Sequence, residues 1–457
     1  MSARLLIKNA RIIDPSDGSD AVGDLLIDGG VIAGRGPLSK SVLDATRVVD
    51  GTGMVVAPGF IDLHAHLREP GGEDKETIAT GTAAGARGGF TTICCMPNTA
   101  PVIDSATVVQ FIARQAADAG PVRVLPFGAV SRGRAGVELT DMEELARAGV
   151  AGFTDDGNPV ATGHLMQMAL LYAGQLGLPV MDHCEDHSIT RRSGMNEGTH
   201  GLGVNEGWVA SRLGLAGYPS AAEESIVARD IALLELAGGA LHIAHLSTAG
   251  GIEQVRRAKE RGLRVTAEAT PHHLTMTEAW VLGSHGRGSP DEALGNDAYE
   301  TRAKVSPPLR AETDRQALVE ALADGTVDAI ATDHAPHTFA DKAVPFEEAA
   351  VGLSVLETAL GSLMGLVHGG AIDLAALVHR LTAGPAGVLG ERYADLATLR
   401  KGTPADVVLF DPDESWVVDA AKFASKGKNT PLDGETLVGR VKLTVAGGEI
   451  AYDGLAS

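Results

Sequence analysis

Short β-branched runs open the chain. RLLIKNARII, GDLLIDGGVIAG and TRVVDGTGMVV are separated or broken by Asp-Gly and Gly-Gly, the pattern of strands joined by tight turns. The pattern returns at the far end, in ADVVLFD and in GRVKLTVAGGEIAYDG, whose Gly-Gly marks a hairpin. Neither end is long enough to enclose a core alone. The economical reading is one small β-sandwich domain made from residues 1–56 and 395–457, with residues 57–394 inserted between its halves.

The inserted stretch alternates strand and helix. VAPGFIDLH, FTTICCM, VRVLPFG, AGFTD, LPVMDH, LHIAH, RVTAEA and VDAIATD read as eight strands. Between them lie amphipathic segments such as DMEELARAG, IEQVRRAKERG and DRQALVEALADG. Eight such units predict an α/β fold, a (β/α)8 TIM barrel, with its active site at the C-terminal strand ends. A doubly wound open sheet is the alternative, but no Gly-x-Gly-x-x-Gly follows the first strand. The polar, Gly-rich stretch 280–302 reads as a loop insertion after strand seven.

Composition narrows the function. The chain has 457 residues, 44% of them hydrophobic, and a formal net charge of −21. That charge repels phosphates, so neither nucleic acid nor an anionic membrane surface is an expected partner. An anionic small-molecule substrate would need a local cationic clamp. No apolar run reaches the ~18 residues of a membrane span, and no signal-peptide pattern opens the chain. Cys94, Cys95 and Cys184 have no zinc-ribbon spacing and read as buried thiols of a cytoplasmic protein.

Ligand-type side chains end several of these strands. Strand one ends in His64-Ala65-His66, whose imidazoles share a face because side chains alternate. Strand four ends in Asp155-Asp156-Gly157, and alternation alone does not choose between the two carboxylates. Strands five, six and eight end in His183, His245 and Asp333. Each alone has an ordinary structural explanation, such as a satisfied core histidine or an Asp turn. Five strands carrying such a residue at the same end is a poor accident. Four imidazoles with two carboxylates suit divalent cations such as zinc, two of them sharing a bridging ligand. His242, three residues before His245, is expected to face away and pack.

These motifs carry a family likeness. GFIDLHAHLREPGGEDKETIATGTAAGARGGFTTICCMPNT resembles the first two barrel strands of dihydroorotases, in the amidohydrolase superfamily. FTDDG, DHCED, HIAHLSTAGG, TAEATPHHL, SPPLR, IATDHAPHT and SKGKNTPLDG continue the likeness in order over nearly the whole chain. The resemblance implies reversible conversion of N-carbamoyl-L-aspartate to L-dihydroorotate in pyrimidine synthesis. It implies His64, His66, Asp156, His183, His245 and Asp333 as ligands of one or two zinc-type ions, with Asp333 also the catalytic acid and base. Many relatives bridge their metals with a carboxylated lysine; Asp156 resembles the bacterial branch that uses aspartate there.

On the substrate side, Arg68 in HLREPG is the expected carboxylate clamp. Asn98 in MPNT and His337 in HAPH are expected to supply hydrogen bonds, and His66, Ser306, Val351 and Gly352 to line the same pocket. Two positions depart from the family pattern: Ser306 stands where Asn commonly precedes Pro-Pro-Leu-Arg, and Val351 falls in a run that is commonly Ala-Pro-Phe-Gly. The loop 338–352 is a candidate lid. The rival readings are a hydantoinase or allantoinase on the same barrel, and a non-catalytic scaffold for aspartate transcarbamoylase. Self-association, and association with that transcarbamoylase, are the partner expectations.

Overall fold

The computed structural model describes residues 4–36, 47–190, 203–283 and 294–455. Its strands run, in chain order, β1 (Leu5–Asp14), β2 (Ser19–Asp28), β3 (Val31–Gly36), β4 (Arg47–Asp50), β5 (Val55–Pro58), β6 (Phe60–Ala65), β7 (Phe90–Cys95), β8 (Arg123–Pro126), β9 (Val180–Asp182), β10 (Leu241–Ile243), β11 (Val265–Ala269), β12 (Ala329–Ile330), β13 (Val407–Val417), β14 (Thr436–Ala446) and β15 (Glu449–Asp453). No helix among the described residues is long and apolar enough to cross a membrane.

The two termini build one sheet, in the order β15-β14-β13-β5-β1-β2-β3, with β4 also paired to β1. The Gly-Gly pairs do what their sequence suggested. Gly29-Gly30 and Gly447-Gly448 all have positive φ and turn β2 into β3 and β14 into β15. The ladder is continuous, so this is one sheet and not two stacked ones. It still has a sandwich's core, because Ile7, Leu25 and Ile32 from one end pack in the same cluster as Leu409, Leu443 and Val445 from the other. The sheet keeps β5 as far as Pro58, so the run VAPGFIDLH is split between the terminal sheet and the middle of the chain. The opposite face carries Val55, Val408, Phe410 and Val441 into the main core, where the Phe60 and Phe410 rings lie 6.2 Å apart.

The middle of the chain forms two parallel sheets, β6-β7-β8 and β12-β11-β10-β9. Single parallel bridges join them: Phe153 to Gly128 and to Val180 on one side, and Ala65 to His334 on the other. AGFTD, expected as a full fourth strand, contributes only these bridges at Phe153. The expected loop insertion at 280–302 lies partly outside the described residues.

Asp62 fastens the junction between β6 and the end of β12. Its Oδ1 accepts from the backbone N–H groups of Thr332 at 2.8 Å and His64 at 3.2 Å, and its Oδ2 accepts from the Thr332 hydroxyl at 2.6 Å. The carboxyl is fully buried. Thr332 immediately precedes Asp333, so this contact sets the spacing between two candidate ligands. Asp62→Ala orphans these buried donors and should lower the unfolding free energy by about 3 kcal/mol. Urea denaturation measures this, and a change below about 0.5 kcal/mol would remove Asp62 from that role.

Candidate metal centre and active site

The strand ends bring four imidazoles around one carboxylate. Asp156 Oδ1 lies 3.2 Å from His64 Nε2 and 3.8 Å from both His183 Nδ1 and His245 Nε2. Its Oδ2 lies 3.6 Å from His66 Nε2. Asp333 Oδ1 stands 3.0 Å from His66 Nε2 and 3.6 Å from His64 Nε2. Two donor groups result, His64–His66–Asp333 and His64–Asp156–His245, each with its ligand atoms within 4.8 Å of one another. His183 joins the second group, its Nδ1 2.8 Å from His245 Nε2. Asp155 turns the other way and accepts from the Ser131 backbone N–H and hydroxyl.

What lies behind these rings decides which nitrogen faces inward. His64 gives Nδ1 to Glu268 Oε1 at 2.8 Å, His66 gives Nδ1 to Asn98 Oδ1 at 3.0 Å, and His183 gives Nε2 to Glu185 Oε2 at 3.1 Å. Each outward nitrogen is therefore the donor, and the inward one can offer a lone pair to the centre once it gives up its proton, as metal-ligating histidines are usually held. His64 Nε2 and Asp156 Oδ1 are buried without a hydrogen-bond partner. Burial alone would raise the Asp156 pKa, but the His64 charge and the surrounding imidazoles hold it well below the carboxylate range. Burial likewise opposes charge on His64, yet Asp156 and Glu268 outweigh it and raise that pKa well above its ordinary value. Convergent lone pairs and a strong anionic field fit a divalent cation.

Four non-glycine residues at this centre have positive φ: Arg68 at 61°, Arg134 at 56°, His245 at 32° and Asp333 at 45°. Such backbone strain collects where geometry matters more than local stability. A third acidic group, Asp182–Cys184–Asp230, is a weaker cation site because Arg229 already contacts both carboxylates.

The centre opens into a cavity of about 1160 Å³ lined by His66, Arg68, Asn98, Ser306, His337, Val351 and Gly352, among others. Burial lowers the Arg68 pKa only to about 10, so the guanidinium is charged at neutral pH. Among the described residues no carboxylate lies within ion-pair distance of it, while its Nε donates to Pro336 O at 3.3 Å. That leaves the two terminal nitrogens as the fork for an anion. Asn98 spends Oδ1 on His66, so only its NH2 group remains for a ligand. His337 donates from Nε2 to Val351 O at 2.9 Å and sits 3.3 Å from Arg68 Nη2; burial and Arg68 keep it neutral. It thus acts as a brace in this structure, where a direct ligand donor was expected. Gly352 has φ +132°, and a Cβ there would lie 2.5 Å from the Ala335 Cβ, which requires glycine.

Several contributors were not singled out in the sequence. Glu268 sits mid-strand in RVTAEA, where a carboxylate within an apolar run was the available signal. His242, expected only to pack, holds that carboxylate at 3.1 Å through Nε2 and so extends the chain His242–Glu268–His64. Arg134 forks onto the carbonyl oxygens of Asp155 and Asp156, and no local motif announces it. The loop 338–352 is pinned. Lys342 Nζ meets the carbonyls of Thr301, Lys304 and Ala350, and Lys304 Nζ those of Phe346, Glu347 and Ala349. Burial pushes Lys342 down to about 7 and Lys304 to about 8. Three carbonyl acceptors need three N–H donors, which only the ammonium has. Lid motion would have to break the five of these bonds that tie the loop to Thr301 and Lys304.

A family model described as "Dihydro-orotase-like" matches residues 53–250. A dihydroorotase of Syntrophus aciditrophicus is 46% identical over 98% of this chain and 99% of its own length. One of Anaeromyxobacter dehalogenans is 47% identical over 99% of each. The chain belongs to the dihydroorotase family. Among solved structures, this member of the dihydroorotase family superposes on the L-hydantoinase (dihydropyrimidinase) of Arthrobacter aurescens with a TM-score of 0.82. The match has 24% identity and covers 99% of this chain and 96% of that one, a likeness of fold.

Two substitutions test the centre. His64→Ala should cut bound divalent metal to about a tenth or less, since lost ligands and their partners cost 10- to 100-fold in affinity. Atomic emission on purified protein measures it, and full retention would remove His64 from the ligand set. Lys342→Met should increase cleavage within 338–352 in limited proteolysis; an unchanged rate would mean that the ammonium does not hold the loop.

Proposed function

We propose that the chain is a dihydroorotase, interconverting N-carbamoyl-L-aspartate and L-dihydroorotate in pyrimidine synthesis. The observation that carries this reading is Arg68, with no carboxylate at ion-pair distance among the described residues, lining one cavity with His66, Asp156, His183, His245 and Asp333. A hydantoinase centre would need no such anion clamp for an uncarboxylated ring. Near-full-length identity to proteins named dihydroorotase supports the same substrate.

The ring of parallel pairings supports a (β/α)8 barrel over residues 57–394, with residues 1–56 and 395–457 as its companion domain. His64, His66, Asp156, His183, His245 and Asp333 would hold the metal, and imidazole with carboxylate favours zinc. A bound divalent pair lowers the pKa of water and polarises a carbonyl. Arg68 orients the ring through its carboxylate, with the Asn98 amide alongside and Ser306, Val351 and Gly352 as walls. Asp333 turns Oδ1 toward His66 and His64, the side on which the metal would be held, which leaves Oδ2 for proton transfer. Burial would raise the Asp333 pKa, but His66 and His64 hold it low, so it starts as a base. Asp333 takes the proton of the attacking water as oxygen bonds to the ring carbonyl carbon, then gives it to the nitrogen as the ring C–N bond breaks. The reverse sequence closes the ring.

The donor set is complete within one chain, so turnover needs no partner; self-association or a complex with aspartate transcarbamoylase would add to it. A cytoplasmic location goes with three buried free thiols.

Metal-loaded protein assayed side by side should process dihydroorotate with kcat/KM at least about a hundredfold above hydantoin or allantoin. Preference for either uncarboxylated ring would replace this reading with a cyclic ureide hydrolase. No turnover, even with the transcarbamoylase added, would leave the scaffold reading.

A further inference from the structure

A segment from outside the middle of the chain reaches the substrate wall. Asn429 belongs to SKGKNTP, between β13 and β14, and is 5% exposed. Its side chain makes four hydrogen bonds. Oδ1 accepts from the His337 backbone N–H at 2.9 Å and the Ser354 hydroxyl at 2.8 Å. The amide nitrogen donates to Ala335 O at 3.1 Å and Gly352 O at 3.0 Å. Its own carbonyl accepts from Ser354 N–H at 3.0 Å. All four partners lie in two stretches, 335–337 and 352–354, which flank the cavity from opposite ends of the pinned loop.

The chemistry of the partners fixes the residue type. One end of the group faces two donors and the other faces two carbonyls. A carboxylate of the same shape would set an oxygen against both carbonyls, and an apolar isostere would orphan all four. The segment is itself anchored. Ser425 donates to Glu76, which also contacts His334, and Gly427 packs so closely on Pro336 that a Cβ there would lie 2.4 Å from its side chain. Behind the amide, Pro336 O holds Arg68 Nε and Val351 O holds His337.

We propose that Asn429 is a positioning residue for substrate binding. It sets the spacing between the Arg68–His337 pair and the Val351–Gly352 wall without touching substrate or metal. The inference rests on the reading of Arg68 as the carboxylate clamp. It makes the C-terminal part of the chain a component of the substrate site.

The test compares Asn429→Ala, Asn429→Asp and Arg68→Met in the full-length, metal-loaded protein, with dihydroorotate as substrate. Both Asn429 variants should raise KM about tenfold or more, the scale of a displaced hydrogen bond. kcat should stay within about threefold and metal content should not change. A space-filling role predicts that Asn429→Asp behaves as the unaltered protein, and that result would overturn the proposal. So would a raised KM accompanied by loss of kcat and of metal content. If neither Asn429 variant folds, Ser354→Ala removes one of the four bonds and should raise KM about threefold; no rise would overturn the proposal. A raised KM in Arg68→Met with unchanged KM in both Asn429 variants overturns the positioning role alone. An unchanged KM in Arg68→Met overturns the carboxylate clamp and the positioning role with it.

Discussion

Asp156 is the group on which the site depends. Its two oxygens lie within 3.8 Å of four imidazoles, His64 and His66 from the end of β6 and His183 and His245 from the ends of β9 and β10. Taking that carboxylate and Asp333 out of water would be prohibitive without compensating charge. A divalent cation bound there would supply that charge. Much of the surrounding polar structure serves to keep the imidazoles turned so that their lone pairs meet it. Glu268, Asn98 and Glu185 each take one outward ring nitrogen, and His242 in turn holds Glu268.

The scaffold is fastened where error would be most costly. Asp62 ties β6 to Thr332 beside Asp333, and Arg134 grips the carbonyls of Asp155 and Asp156. Lys304 and Lys342 stitch the loop after the last strand to the segment before Ser306. The result is an anionic cluster able to hold a cation beside the cationic Arg68, in a chain of net charge −21. Arg68 has no carboxylate at ion-pair distance among the described residues, which is what the proposed role as clamp for a carboxylated ring requires.

Period and motif made much of this legible. Gly29-Gly30 and Gly447-Gly448 announced their hairpins, and His64 with His66 announced a shared face. The orientation of Asp156 over Asp155 was not readable from alternation, because the fourth segment is a strand only at Phe153. The split of VAPGFIDLH between two sheets was hidden for a similar reason: an unbroken apolar run has no mark where its partners change. Glu268, Arg134 and Lys342 were missed because their roles depend on groups far along the chain, or on carbonyls that every residue has. Sequence spacing carries chemistry when the partners are neighbours on one strand, and loses it when the partner is backbone.

The central claim is that one cavity joins a metal centre built around Asp156 to a carboxylate clamp at Arg68. Its most direct test is a crystal structure with zinc and dihydroorotate, with the metal located by anomalous scattering. The account predicts two peaks, one among His64, His66 and Asp333 and one among His183, His245 and Asp156, with the ring carboxylate on the terminal nitrogens of Arg68. Peaks outside these six side chains, or a ring bound with its carboxylate turned away from Arg68, would contradict it.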